Sequence, residues 1–275
     1  MLRYVFKLVT SQLINLQGSD CIPELLITIL DYVAKCYPKV FFEGFGGSGI
    51  VSINVVHNFS NVIVTWNDID INIYSTLYCT KFNVNNFIER VDTMYRHLIA
   101  NLYEYREVFE DIKKCLKQRD LSLYERGFWT IILYNCCVVC WKTQNMLRIR
   151  GKRRLRPTLE LWHKLLQKIE LMNSNFFDIW YRFNRSDVFM YLDPPHYTHE
   201  TFKYGRYLHM FTLCDIKTLV DILKSTNANV LLKISRHETK LYNELLRHGY
   251  KAEPFRYSSH TCREHDVDLI FLKNF

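Results

Sequence analysis

A doubly wound α/β fold is the fold class this sequence predicts, and three observations predict it. Residues 40–81 run strand, glycine-rich loop, helix, strand, helix. The same alternation resumes at residue 188 and continues to a closing hairpin. Between the two lies a block, residues 81–185, that loses the alternation and reads as mostly helical, rich in Tyr, Arg and Lys. The expected organisation is one α/β domain in two parts, residues 1–80 and 186–275, with a mainly helical insert at 81–185.

Each element has its own reason. Ile22, Leu25, Leu26, Ile29, Leu30 and Val33 recur at helical spacing, which predicts a helix over 22–36. Pro38 forces the chain out of it. Val40, Phe41 and Phe42 form a short apolar strand that runs into Glu43-Gly44-Phe45-Gly46-Gly47-Ser48-Gly49. A helix follows over 50–57, then a strand over 62–66 ending at Asn67-Asp68-Ile69-Asp70, then a helix over 71–81. After the insert, residues 188–192 are an apolar strand ending at Asp193-Pro194-Pro195-His196. Helices are expected at 215–225 and 238–247, and a strand at 230–234. A hairpin pairs 255–257 with 267–272.

Composition narrows the function classes. The 275 residues are 48% hydrophobic, so a sizeable core forms and disorder is excluded as the main state. The net charge of +8 is uneven. Residues 81–185 carry 20 Lys+Arg against 11 Asp+Glu, and the remainder carries 16 against 17. A basic block in a near-neutral globular chain points to a polyanion, most often nucleic acid. The longest apolar stretch, 128–141, contains Thr130 and Asn135 and is shorter than the roughly 20 residues a membrane span needs, so no span is expected. Nine cysteines without framework spacing read as buried, reduced thiols of a cytosolic or nuclear protein, and no metal site is expected from the single Cys137-x-x-Cys140 pair.

Two motifs carry chemistry. Gly44, Gly46 and Gly49 fit GxGxxG between a strand and a helix, where bare backbone approaches a ligand and the helix N-terminus offers N–H groups. Asp68 lies about 20 residues on, where an acceptor for a ribose diol belongs. That pairing suits NAD and S-adenosylmethionine alike, since both carry an adenosine. The second motif, Asp193-Pro194-Pro195-His196, leaves a buried strand directly. It makes a rigid corner with one carboxylate, a carbonyl and a ring. Such a corner can hold both N–H bonds of an exocyclic amino group and clamp its base plane.

The ordered set of Glu43 to Gly49, Asn67-Asp68-Ile69-Asp70 and Asp193-Pro194-Pro195, with a basic insert between, resembles the Dam-type (alpha-group) DNA adenine-N6 methyltransferases over most of the chain. Leu133-Tyr134-Asn135, Phe211-Thr212 and Tyr242 also stand where that family's patterns place similar residues. The resemblance implies a Rossmann-like methyltransferase domain with a sheet of seven strands, the last hairpin antiparallel, and a helical target-recognition insert. It implies S-adenosylmethionine as methyl donor, with Glu43, Gly44, Phe45, Gly46, Gly47, Ser48 and Gly49 around it. Asp68 would hold the ribose, Ile69 the cofactor adenine, and Asp193 would border the donor as well as the target. In catalysis Asp193 and the Pro194 carbonyl would take the two hydrogens of the target amino group. Pro195 would stiffen the corner, and His196 would stack on an adenine flipped out of duplex DNA.

The sequence also departs from the family pattern. His196 stands where an aromatic ring is usual, Gly44 replaces a proline, and Leu16-Gln17-Gly18-Ser19-Asp20 lacks the aromatic and lysine of a family segment near the N-terminus. A catalytically degenerate homologue acting as a DNA-binding or partner subunit is the alternative these departures raise; the expected partners are double-stranded DNA and a homodimeric copy or partner subunit. For DNA contact the sequence offers an unbroken basic run, Lys142, Arg148, Arg150, Lys152, Arg153, Arg154 and Arg156.

Overall fold

Strand β1 (Val40–Glu43) is the hinge of the architecture. Its neighbours are β2 (Ile63–Asn67) on one side and β6 (Val188–Leu192) on the other, both parallel to it. The computed structural model describes residues 5–14, 23–100, 105–136, 138–139, 147–148, 155–195, 211–235, 239–249, 252–257 and 266–274. Across it the strand order is β5-β2-β1-β6-β7-β9-β8. Five strands are parallel, β5 (Ile169–Met172), β2, β1, β6 and β7 (Asn229–Ser235). β9 (Asp266–Lys273) and β8 (Ala252–Tyr257) extend the β7 edge in antiparallel fashion.

The parallel strands are apolar because both faces are covered. Pleating divides them cleanly. Phe41, Phe189, Tyr191 and Leu231 enter one core with Val64 and Trp66, where α1 (Pro23–Cys36) and α2 (Ile50–Asn58) contribute Leu26, Ile29 and Ile53. Phe42, Val188, Met190, Leu192 and Leu232 enter a second core with Leu219 and Leu223 of the helix Leu213–Ser225. That helix begins with a reciprocal cap, Thr212 and Asp215 each satisfying the other's backbone N–H.

The helical block differs from the expected separate insert in two ways. First, β5 lies inside it, yet pairs with β2 as the edge of the main sheet. Only four residues long, Ile169-Glu170-Leu171-Met172 is too short for its periodicity to register, and Glu170 faces Thr65 with a 3.2 Å hydrogen bond. Second, α3 (Ile71–Phe82), α4 (Val84–Ala100), α5 (Tyr105–Leu116), α6 (Leu123–Cys136) and α7 (Leu155–Leu166) do not close a core of their own. Leu77, Phe87, Val91, Phe128, Ile131, Leu159 and Trp162 are buried in the same cluster as Leu26 and Val64. Residues 81–185 therefore contribute one strand to the main sheet and several helices to its core. The short pairing of β3 (Val138–Val139) with β4 (Leu147–Arg148) is separate from that sheet.

Candidate active site

In an open α/β sheet, ligands sit beyond the carboxyl ends of the strands where the strand order reverses. Here the reversal lies between β1, which is followed outward by β2 and β5, and β6, which is followed by β7. The glycine-rich loop leaves β1 and the Asp193 corner leaves β6, so the two motifs flank that point.

Backbone contacts hold the loop. The Gly44 N–H donates to the Tyr191 carbonyl at 3.0 Å, the Gly46 N–H to the Asn67 carbonyl at 2.7 Å, and the Gly49 N–H to the Gly46 carbonyl at 2.8 Å. Gly49, at φ 74°, turns the chain into α2 through the left-handed region. At Gly46 the reason for glycine is close approach: a Cβ would stand 2.0 Å from Trp66 Nε1, in a fully buried indole. Ser48 is buried and Phe45 half-buried. Phe45 packs on Phe176 at 4.8 Å between ring centroids and edge-on to Phe211 at 6.0 Å. Glu43 is buried, and its Oε2 accepts the Ser52 N–H at 3.0 Å and the Ser52 hydroxyl. That contact fastens β1 to the first turn of α2, where a carboxylate favours the helix dipole.

Asp68 bridges the loop to β2. Its Oδ2 accepts the Gly47 N–H at 2.7 Å and its Oδ1 the Asp70 N–H at 2.8 Å. Burial pushes its carboxyl up to about 6, outweighing the Asp70 and Gly47 backbone N–H groups that favour the charged form. Asp70 then caps α3 through the Asn72 N–H. Ile69, between them, is 36% exposed. A bare-backbone turn, a carboxylate at the end of β2 and an exposed apolar side chain beside it fit an adenosine-bearing cofactor.

A third loop joins the site, and the sequence reading assigned it to the insert. After β5, Asn173 Nδ2 donates to the Asp68 carbonyl at 2.7 Å. Asn67 Nδ2 donates to the carbonyls of Gly44 (3.0 Å) and Ser174 (3.1 Å), and Asn67 Oδ1 accepts the Ser174 N–H at 3.1 Å. Asn67 is thus the knot between three loops. The run Asn173-Ser174-Asn175 after a short apolar stretch was the available signal.

At the corner, Asp193 follows the wholly buried β6, with Pro194 buried and Pro195 half-buried. Asp193 Oδ2 lies 3.0 Å from Lys233 Nζ, with the lysine side chain 7% exposed and the aspartate 21%. Lys233 went unnoticed because Val230–Ile234 read as an apolar strand; a lysine inside such a run was the signal. His196 lies outside the described residues, as do Leu16 to Asp20. Of the basic run, Arg156 lies in α7 and binds Asp92 Oδ2 through Nε at 3.1 Å and Nη2 at 3.0 Å, and the Arg148 backbone lies in β4. Lys142, Arg150, Lys152, Arg153 and Arg154 lie outside the described residues. Among the described residues no cluster of three His, Cys, Asp or Glu side chains could hold a metal, and no helix is long and apolar enough to cross a membrane.

Residues 24–265 match the family model for D12 class N6 adenine-specific DNA methyltransferases. The chain belongs to that family. The match spans the glycine loop, Asp68 and the Asp193 corner in one stretch. Comparison with curated proteins gave no match. Among solved structures, the family member is similar to a protein of Escherichia coli named as a methyltransferase, yhhF, at 10% identity and a TM-score of 0.36, covering 94% of this chain and 90% of that one. It is also similar to a protein of Haemophilus influenzae named as a methylase, at 9% identity and a TM-score of 0.31, covering 90% and 87%. At these scores the family rests on the sequence match, not on the structural likeness.

Proposed function

We propose that this chain transfers a methyl group from S-adenosylmethionine to N6 of an adenine flipped out of duplex DNA. The observation that carries the reading is the placement of the glycine loop and the Asp193-Pro194-Pro195 corner on the adjacent strands β1 and β6, at the point where the strand order reverses. Supporting it is membership of an adenine-specific DNA methyltransferase family. The reading takes the five parallel strands and their antiparallel hairpin as the seven strands of a Rossmann-like methyltransferase sheet.

S-adenosylmethionine, when bound, supplies an electrophilic methyl group on a sulfonium. The Gly44–Gly49 loop would receive its methionine portion, Asp68 the ribose and Ile69 the adenine. Glu43 acts from beneath, setting the start of α2 through Ser52. Phe45 is braced by Phe176 and Phe211 and forms one wall of the crevice.

The target base enters at the Asp193 corner. Asp193 and the Pro194 carbonyl accept the two amino hydrogens, which leaves the N6 lone pair directed at the donor. Pro195 restricts the backbone so that both acceptors hold their positions, and His196 supplies a ring for the extruded base. Holding the two reactants in line contributes several kcal/mol of the barrier reduction. No covalent attachment to the protein is required. Arg156 and the other basic residues from Lys142 to Arg154 would meet phosphates, Arg156 after yielding its Asp92 partner, an exposed pair worth about 1 kcal/mol or less.

The test is incubation of the purified chain with labelled S-adenosylmethionine and unmethylated duplex DNA. Label in N6-methyladenine, lost in Asp193→Ala, is the expected result. No transfer, combined with salt-sensitive DNA binding, would favour the catalytically silent homologue.

A further inference from the structure

We propose that Lys233 is a positioning residue for the transfer, holding the Asp193 carboxylate in place as the acceptor of the target amino group. This rests on the function proposed above and adds a residue to its machinery.

Lys233 occupies an unfavourable place for a charge. Lys233 lies in the middle of β7, between the fully buried Leu232 and Ile234, and is itself 6% exposed. Removing an ammonium from water is costly unless a partner compensates. Stability alone does not call for such a pair, since apolar residues of similar volume are often as good or better. The partner is the one carboxylate that the function needs. β6 and β7 run parallel with Leu192 opposite Leu232, so the next residue on each is Asp193 and Lys233. The register brings them side by side, and Nζ reaches Oδ2 at 3.0 Å. The two members differ in exposure: the lysine side chain is buried in the sheet at 7%, and the aspartate is 21% exposed.

Two chemical consequences follow. A charge-assisted bond to one oxygen fixes the plane of the carboxylate and restricts its rotamer. The ammonium also offers donors only, so the Oδ2 that faces it is held as an acceptor. An ionised carboxylate only accepts hydrogen bonds, whereas a protonated one offers an O–H that opposes an amino group. Lys233 thereby enforces the role that Asp193 has toward the target, without touching donor or base.

The test uses the full chain in single-turnover transfer to unmethylated duplex DNA, with donor binding measured by calorimetry. It compares wild type, Lys233→Met, Lys233→Arg and Asp193→Ala. Lys233→Met should lose at least about tenfold in rate at saturating donor and DNA, with donor Kd within about twofold of wild type. Lys233→Arg should return to within about threefold of the wild-type rate. Lys233→Met at the wild-type rate overturns the proposal, as does loss of donor binding in step with the rate. If Lys233→Met does not fold, Lys233→Arg decides: a folded protein as slow as Asp193→Ala overturns the proposal, and a near-normal rate supports it. A wild type that transfers nothing overturns the underlying function and this inference with it. An active wild type with an equally active Lys233→Met overturns this inference alone.

Discussion

The Asp68 carboxylate accepts two backbone N–H bonds and is still pushed up to about 6, because its burial outweighs them. The sign of the consequence is fixed. A carboxyl raised from 3.8 in the unfolded chain to about 6 when folded binds protons more tightly in the folded state. Its contribution to stability is full below pH 3.8 and is lost as pH rises through about 6. Donor binding should follow the opposite course, since ribose hydroxyls want the charged form. Calorimetry should therefore find donor affinity level above pH 7 and falling about tenfold between pH 7 and pH 5, with Asp68→Asn weak and flat across that range. At this scale Asp68, Asp193 and the glycines were legible in the sequence because motif spacing marks them. Lys233 and Asn67 were not. Their roles depend on the neighbouring strand and loops, and no local pattern in one chain segment encodes a partner 40 residues away such as Asp193.

Elements bring these residues together, and the loop between β1 and α2 is the least tolerant of change. An alanine methyl at Gly46 would stand 2.0 Å from the Trp66 indole, a rigid ring that is fully buried. Neither side has room to give. Gly46→Ala should cost about 1–3 kcal/mol by overpacking, read as a lowered midpoint in denaturant melts, and should weaken donor binding more than DNA binding. The elements themselves were largely readable. Helices with a single buried stripe, such as α1, and strands bounded by glycine or Asp-Pro-Pro came out within a few residues. β5 escaped because four residues at a sheet edge do not form a period, and its loop, Asn173 to Asn175, was lost with it.

At the scale of the whole molecule, the excess positive charge and the sheet belong to a shared core. Trp162 and Leu159 of the basic segment's end, and Phe87 and Ile131 before it, are buried with Leu26, Ile53 and Val64. Residues 84–166 expressed alone should therefore lack a cooperative thermal transition and bind a hydrophobic dye, because their apolar faces would have lost α1, α2 and the sheet. A cooperative melt of that segment would mean an independent domain after all. Family and fold class were legible at this scale because the motifs occur in order along the chain; how the helical block packs was not, since periodicity gives a buried face without naming what covers it. The central claim remains the transfer itself. Its most direct measurement is N6-methyladenine formed on unmethylated duplex DNA from labelled S-adenosylmethionine. Wild type should place label in that base and Asp193→Ala none; a wild type that leaves the base unlabelled, or an Asp193→Ala variant that labels it equally, would overturn the assignment.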